Sequence, residues 1–161
     1  DIDEIVIPSV PKYKDTEFRS INRSDAADDL KTEVDKEREK QIEPLIKRIK
    51  DVLGEDVKDV KASTRLSDSP SCVVADENDP TVQMQTILKS LGQKNVPEFK
   101  PVLEINPTHE IVLKMAEVKD EALFEDISRL LFEQDLLIEG VHIKDPSRFA
   151  RRLNDVIHKA L

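Results

Sequence analysis

The chain has 161 residues, with 38% hydrophobic and 37% charged residues, so it can bury one domain-sized core beneath an unusually ionic surface. Its formal charge of −9 weighs against a nucleic-acid backbone as partner, because phosphate neutralisation needs clustered Lys and Arg. The best basic cluster, Arg148, Arg151 and Arg152, reads as a solvated helix face.

Residues 1–22 carry strand-like runs at Ile5–Ile7 and Phe18–Ile21, too short for a core of their own. Ser24 can cap a charged stretch, SDAADDLKTEVDKEREKQIE, that reads as a solvated connecting helix. Pro44 either kinks that helix or restarts it. Beyond it Ile42, Leu45, Ile46, Ile49, Val52 and Leu53 form one apolar face ended by Gly54, which marks a docking helix. Three strands are expected at 57–63, 71–75 and 99–106, each rich in β-branched residues.

Between the second and third strands, NDPTVQMQTILKSLG reads as a helix opened by Asp79-Pro80 and closed by Gly92. Met84, Ile87, Leu88 and Leu91 form its apolar stripe, with Gln83, Gln85, Thr86, Lys89 and Ser90 on the polar side. Such a stripe can meet its own core, a second copy, or the hydrophobic surface of another protein. Another helix is expected to open at Asn106-Pro107 and to bury Ile111, Met115 and Val118.

Two stronger helices end the chain. One runs from Asp120 to before Gly140 with Leu123, Ile127, Leu130, Leu131, Leu137 and Ile138 on one side. The other opens at Asp145-Pro146 and carries Phe149, Leu153, Val156, Ile157 and Ala160. Their short link implies an antiparallel hairpin. The expected fold is α+β: a small three-stranded sheet with helices, ending in that hairpin. One small sheet cannot cover all these stripes, so the hairpin is expected to form a four-helix bundle in a homodimer.

Catalytic chemistry is not visible. The three glycines stand at expected helix ends, leaving none for a phosphate-binding loop. His109, His142 and His158 lack metal-ligand spacing with one another or with Cys72. Cys72, in the apolar run CVVA, reads as an inert thiol and as the mark of a reducing compartment. No apolar run is long enough to span a membrane.

At TRLSDSPSCVVAD (64–76), LEINPTHEIV (103–112) and DPSRFARRLNDVI (145–157) the chain resembles the C-terminal domain of the heat-shock protein 90 chaperones, especially their bacterial members. The opening DIDEIVIPSVPKYKDTEFRSI resembles the end of that family's middle domain. The resemblance implies a division into 1–23, the tail of the middle domain; 24–54, a charged connector and docking helix; and 55–161, the dimerization domain. It implies a fragment that is not itself an enzyme, cut from an ATP-dependent cytoplasmic chaperone whose ATP and Mg are bound in an absent N-terminal domain.

The same resemblance puts Leu123, Ile127, Leu130, Leu131, Leu137, Phe149, Leu153, Val156 and Ile157 at a homodimer interface. It makes the 79–91 helix a client-contacting element that meets unfolded or partly folded proteins. Ile87 and Leu88 match client-contacting positions, while Met84 and Leu91 join them by periodicity. Pro80 stands where the bacterial members have a methionine, and Ile5 and Pro8 where they have Trp and Asn. The ending HKAL lacks the MEEVD tail, so no TPR co-chaperone is expected, and neither nucleic acid nor membrane is an expected partner. The residues alone leave a different reading open: a dimerization or regulatory module of an unrelated multidomain enzyme.

Overall fold

The computed structural model describes residues 10, 12–17, 32–76, 79–92 and 100–161. The runs at 5–7 and 18–21 and the cap at Ser24 lie outside them. Between those runs lies a short antiparallel hairpin that no sequence pattern announces, β1 (Lys12–Tyr13) with β2 (Thr16–Glu17). No glycine marks its turn; Lys14 takes the left-handed backbone instead, at φ 55°.

Helix α1 (Glu33–Leu53) opens with a reciprocal cap. The Asp35 amide donates to Thr32 Oγ1 at 3.2 Å, and the Thr32 amide donates to Asp35 Oδ2 at 2.9 Å. Pro44 lies inside this helix and does not restart it. The ring removes the bond to the Lys40 carbonyl, and Lys40 is exposed, so water can take that group's place. Ile42, Leu45, Ile49 and Leu53 are buried, with Ile46 and Val52 packed beside them, as the expected face requires.

Three strands follow within the expected ranges: β3 (Asp59–Ala62), β4 (Ser71–Val74) and β5 (Val102–Ile105). Their order is β3-β5-β4, with β5 parallel to β3 and antiparallel to β4. Pairing aligns Val60 with Leu103, and Val73 with that same Leu103, so these side chains share the face that meets α1. Glu104 points to the other face, where Ser63 Oγ and Arg65 Nε each donate to its Oε2 at 2.9 Å.

Helix α2 (Val82–Ser90) lies between β4 and β5, and α3 (Glu110–Ala116) follows β5. Both open later than their prolines suggest. Asp79 is engaged by Lys58 at 2.8 Å, and Thr81 takes over the start of α2, its Oγ1 accepting from the Met84 amide at 3.2 Å. Asn106 is likewise occupied: its Nδ2 donates to the carbonyls of Ser67 and Ser69, tying the 63–70 loop to the sheet. His109 caps α3 instead, Nδ1 accepting from the Ile111 amide at 3.1 Å. The later start turns Val112 and Met115 into the core and leaves Ile111 46% exposed, which corrects the expectation for Ile111.

Helices α4 (Glu121–Ile138) and α5 (Pro146–Ala160) are capped at Asp120 and Asp145 as expected. Gly140, at φ 76°, ends α4, and the Val141 amide reaches back to the Leu136 carbonyl at 2.9 Å. Phe124, Leu131 and Phe132 of α4 join α1, β3, β4, β5 and α3 in one core. Arg48 of α1 lies 3.6 Å over the Phe124 ring and donates to the Val118 carbonyl at 2.8 Å. The docking helix and the sheet domain therefore share a single interior.

Candidate functional site

The α4–α5 hairpin is antiparallel because its far ends meet: Lys159 Nζ donates to Asp120 Oδ2 at 2.7 Å. Midway, Arg152 is buried and its Nη1 donates to both oxygens of Glu133, at 2.9 and 3.0 Å. Its Nε lies 3.8 Å from Asp126. This corrects the reading of Arg152 as part of a solvated basic face; Arg148 and Arg151 are exposed. Arg152 stands three residues after Phe149 and four before Val156, on the flank of the apolar stripe, and only the partner acids on α4 reveal why a cation is buried there.

Arg152 is the only buried residue of α5. The apolar stripe of that helix is left uncovered in one copy: Leu153 is 41% and Ile157 47% exposed, while Phe149 and Val156 are half-buried. On α4, Leu123, Ile127 and Leu130 are half-buried, and Leu137 and Ile138 are exposed. Leu131 differs from this set, since it is enclosed in the core of its own copy.

On α2, Met84, Ile87 and Leu88 are half-buried and Leu91 is 73% exposed. Gln85, placed on the polar side by periodicity, is buried. Val82 and Gln85 instead line a groove of about 520 Å³ shared with Phe132 and Leu136 of α4, the 140–145 link, and Arg148 and Arg152 of α5. Mixed polar and apolar lining explains how a glutamine faces inward.

The cysteine is unsuited to act as a nucleophile. Cys72 is half-buried, and burial together with the nearby Glu104 carboxylate pushes its thiol up to about 12, against the opposing Arg65 guanidinium. It is therefore a thiol rather than a thiolate at neutral pH. Among the described residues no three His, Cys, Asp or Glu side chains are placed to hold a metal ion, and no helix is long and apolar enough to cross a membrane.

Comparison with known proteins agrees with these motifs. The family described as Hsp90 protein matches residues 1–161. The chain is 46% identical over 158 residues to the chaperone protein HtpG of Treponema denticola, covering 96% of this chain and 25% of that protein. It is 45% identical over 161 residues to HtpG of Treponema pallidum, covering 98% of this chain and 25% of the relative. Against HtpG of Sulfurovum sp. it is 44% identical over 161 residues, covering 100% of this chain and 26% of the relative. The chain thus spans about a quarter of the length of these relatives. A match over every residue sets aside a module from an unrelated enzyme, and the chain belongs to the heat-shock protein 90 family.

Proposed function

We propose that this chain is the C-terminal part of an ATP-dependent molecular chaperone, holding two copies together and offering an apolar helix to client proteins. One observation carries the pairing. Helix α5 buries a single residue, the cation Arg152, while Phe149, Leu153, Val156 and Ile157 remain partly open to solvent. A stripe of that kind on a 15-residue helix is stable in water only when something apolar lies on it. A second hairpin related by a twofold axis supplies that cover as a four-helix bundle.

The client role is supported by α2, where Leu91 is exposed and Met84, Ile87 and Leu88 are half-buried. A polarizable Met beside aliphatic side chains suits a surface that accepts many partners. The name HtpG chaperone, carried by its relatives, points the same way. ATP and Mg belong to the N-terminal domain of the longer parent, and this part performs no chemical step. Residues 1–23 then form the tail of the middle domain, 24–54 the connector and docking helix, and 55–161 the dimerization domain, in a cytoplasmic protein.

Sedimentation of the chain at micromolar concentration tests the pairing. A dimer is expected, and replacing Leu153 and Ile157 with Asp should yield folded monomers. A monomeric parent chain would overturn it. For client contact, Ile87→Ser with Leu88→Ser should weaken binding to an unfolded protein. Unchanged binding would remove α2 from the client surface.

A further inference from the structure

Helix α4 buries Phe124, Ser128, Leu131, Phe132 and Asp135, a continuous stripe in which the last member is a carboxylic acid. Asp135 lies where α4 packs on β4, and Ser71, the first residue of β4, is buried on the core-facing side of that strand. Neither Asp135 Oδ2 nor Ser71 Oγ makes a hydrogen bond of regular geometry among the described residues. The Ser71 hydroxyl is the one group that faces the Asp135 carboxyl, and a buried pair with no contact of regular geometry is a costly place for a negative charge.

Among the described residues no cation acts on that carboxyl: Arg129 of α4 is engaged by Glu125 and Asp56, and Arg65, beside Cys72, by Glu104. Burial is the largest influence on Asp135 and raises its pKa to about 6; the Ser71 hydroxyl comes next and opposes the rise, and Glu139, one turn on, adds to it. From β4 the other titratable neighbour is Cys72, a neutral thiol. Among the Lys and Arg of α1 and α5, only Arg48 and Arg152 are not exposed. Arg48 is engaged at the opposite end of α4 by Val118 and Glu121, and Arg152 by Glu133 and Asp126.

We propose that Asp135 is a proton-operated catch between α4 and β4: neutral, it closes the seam, and ionised, it loosens the last turns of α4 from the sheet. A folded-state pKa above the unfolded one means that protonation favours the closed form. The stabilisation is present in acid and is lost as pH rises from the ordinary carboxylate range through about 6. The same helix carries Leu137 and Ile138 on its exposed side, so loosening it alters the apolar surface that one copy presents.

Amide exchange of the intact chain, corrected for intrinsic rates, tests this. Protection of residues 132–139 should fall about tenfold between pH 5 and pH 7.5 if opening restores an ordinary carboxylate, while β3 is unaffected. In Asp135→Asn protection should be high and the same at both values. Ser71→Ala, which removes the hydroxyl that favours the charged form, should move the midpoint to higher pH. A parent chain whose protection ignores pH, an Asp135→Asn chain that keeps the tenfold change, or an unmoved midpoint in Ser71→Ala would each overturn the proposal.

Discussion

Arg152 Nη1 grips both oxygens of Glu133, the shortest polar contact that the one buried residue of α5 makes with α4. The Glu133 side chain is 17% exposed, so removing the cation strands a largely desolvated carboxylate. Arg152→Ala should lower unfolding free energy by about 2–3 kcal/mol, at the low end for a broken buried pair because some water reaches Glu133. Arg152→Met combined with Glu133→Leu should recover most of that loss. Urea midpoints at one fixed protein concentration measure both, since association would otherwise shift them.

Adjacent residues of α3 provide a sharper contrast. Val112 is buried and Ile111 is 46% exposed, although periodicity favours the reverse. Val112→Ala should destabilise by about 2 kcal/mol through the cavity it leaves, and Ile111→Ala by less than about 0.5 kcal/mol. Equal losses in thermal unfolding would contradict this rotation of the helix.

At the start of α2 the competing caps can be separated by substitution. Thr81→Ala should reduce stability by about 1 kcal/mol and speed amide exchange at residues 84 and 85, as loss of an N-cap does. Asp79→Ala removes a surface ion pair with Lys58 and should change stability by less than about 1 kcal/mol. Exchange accelerated more by Asp79→Ala than by Thr81→Ala would return the cap to Asp79.

The junction of Lys159 with Asp120 sets an acid limit on the hairpin. The Lys159 hydrogen bond, followed by that of the Leu123 amide, holds the Asp120 carboxyl below its ordinary value. A depressed pKa gives stabilisation that is complete above the unfolded carboxylate range and fades as pH falls through the folded value. The stability difference between parent and Asp120→Ala should therefore shrink steadily as pH is lowered from 5 to 2.5 in urea titrations. A difference that stays constant over that interval would show that the contact is not ionic.

Much of this architecture was readable wherever one residue type has one physical use. Aliphatic periodicity located the buried face of α1, whereas on α4 it found Leu131 and passed over Phe124 and Phe132; the three glycines, all at positive φ, stand at the ends of α1, α2 and α4. Capping by Asp-Pro was legible at Asp145 and misleading at Asp79, because nothing local records that Lys58 captures the latter carboxylate. Asn106 misled for a related reason: its amide serves a loop almost forty residues upstream. Gln85, Asp135 and Arg152 were invisible as buried residues, since polar side chains enter an interior only through partners or cavities made by distant chain segments. The candidate surfaces were legible as stripes, whereas the enclosure of Leu131 within one copy required the packed core to be seen.

The central position of β5 has a consequence for synthesis. Because β5 lies between β3 and β4, those two earlier strands never pair with each other. A ribosome delivers residues 59–62 and 71–74 first, and each waits with unpaired backbone amides and carbonyls until residues 102–105 leave the exit tunnel. The sheet of this chain is thus unfinished for most of its own translation, with its apolar strands left accessible over that interval.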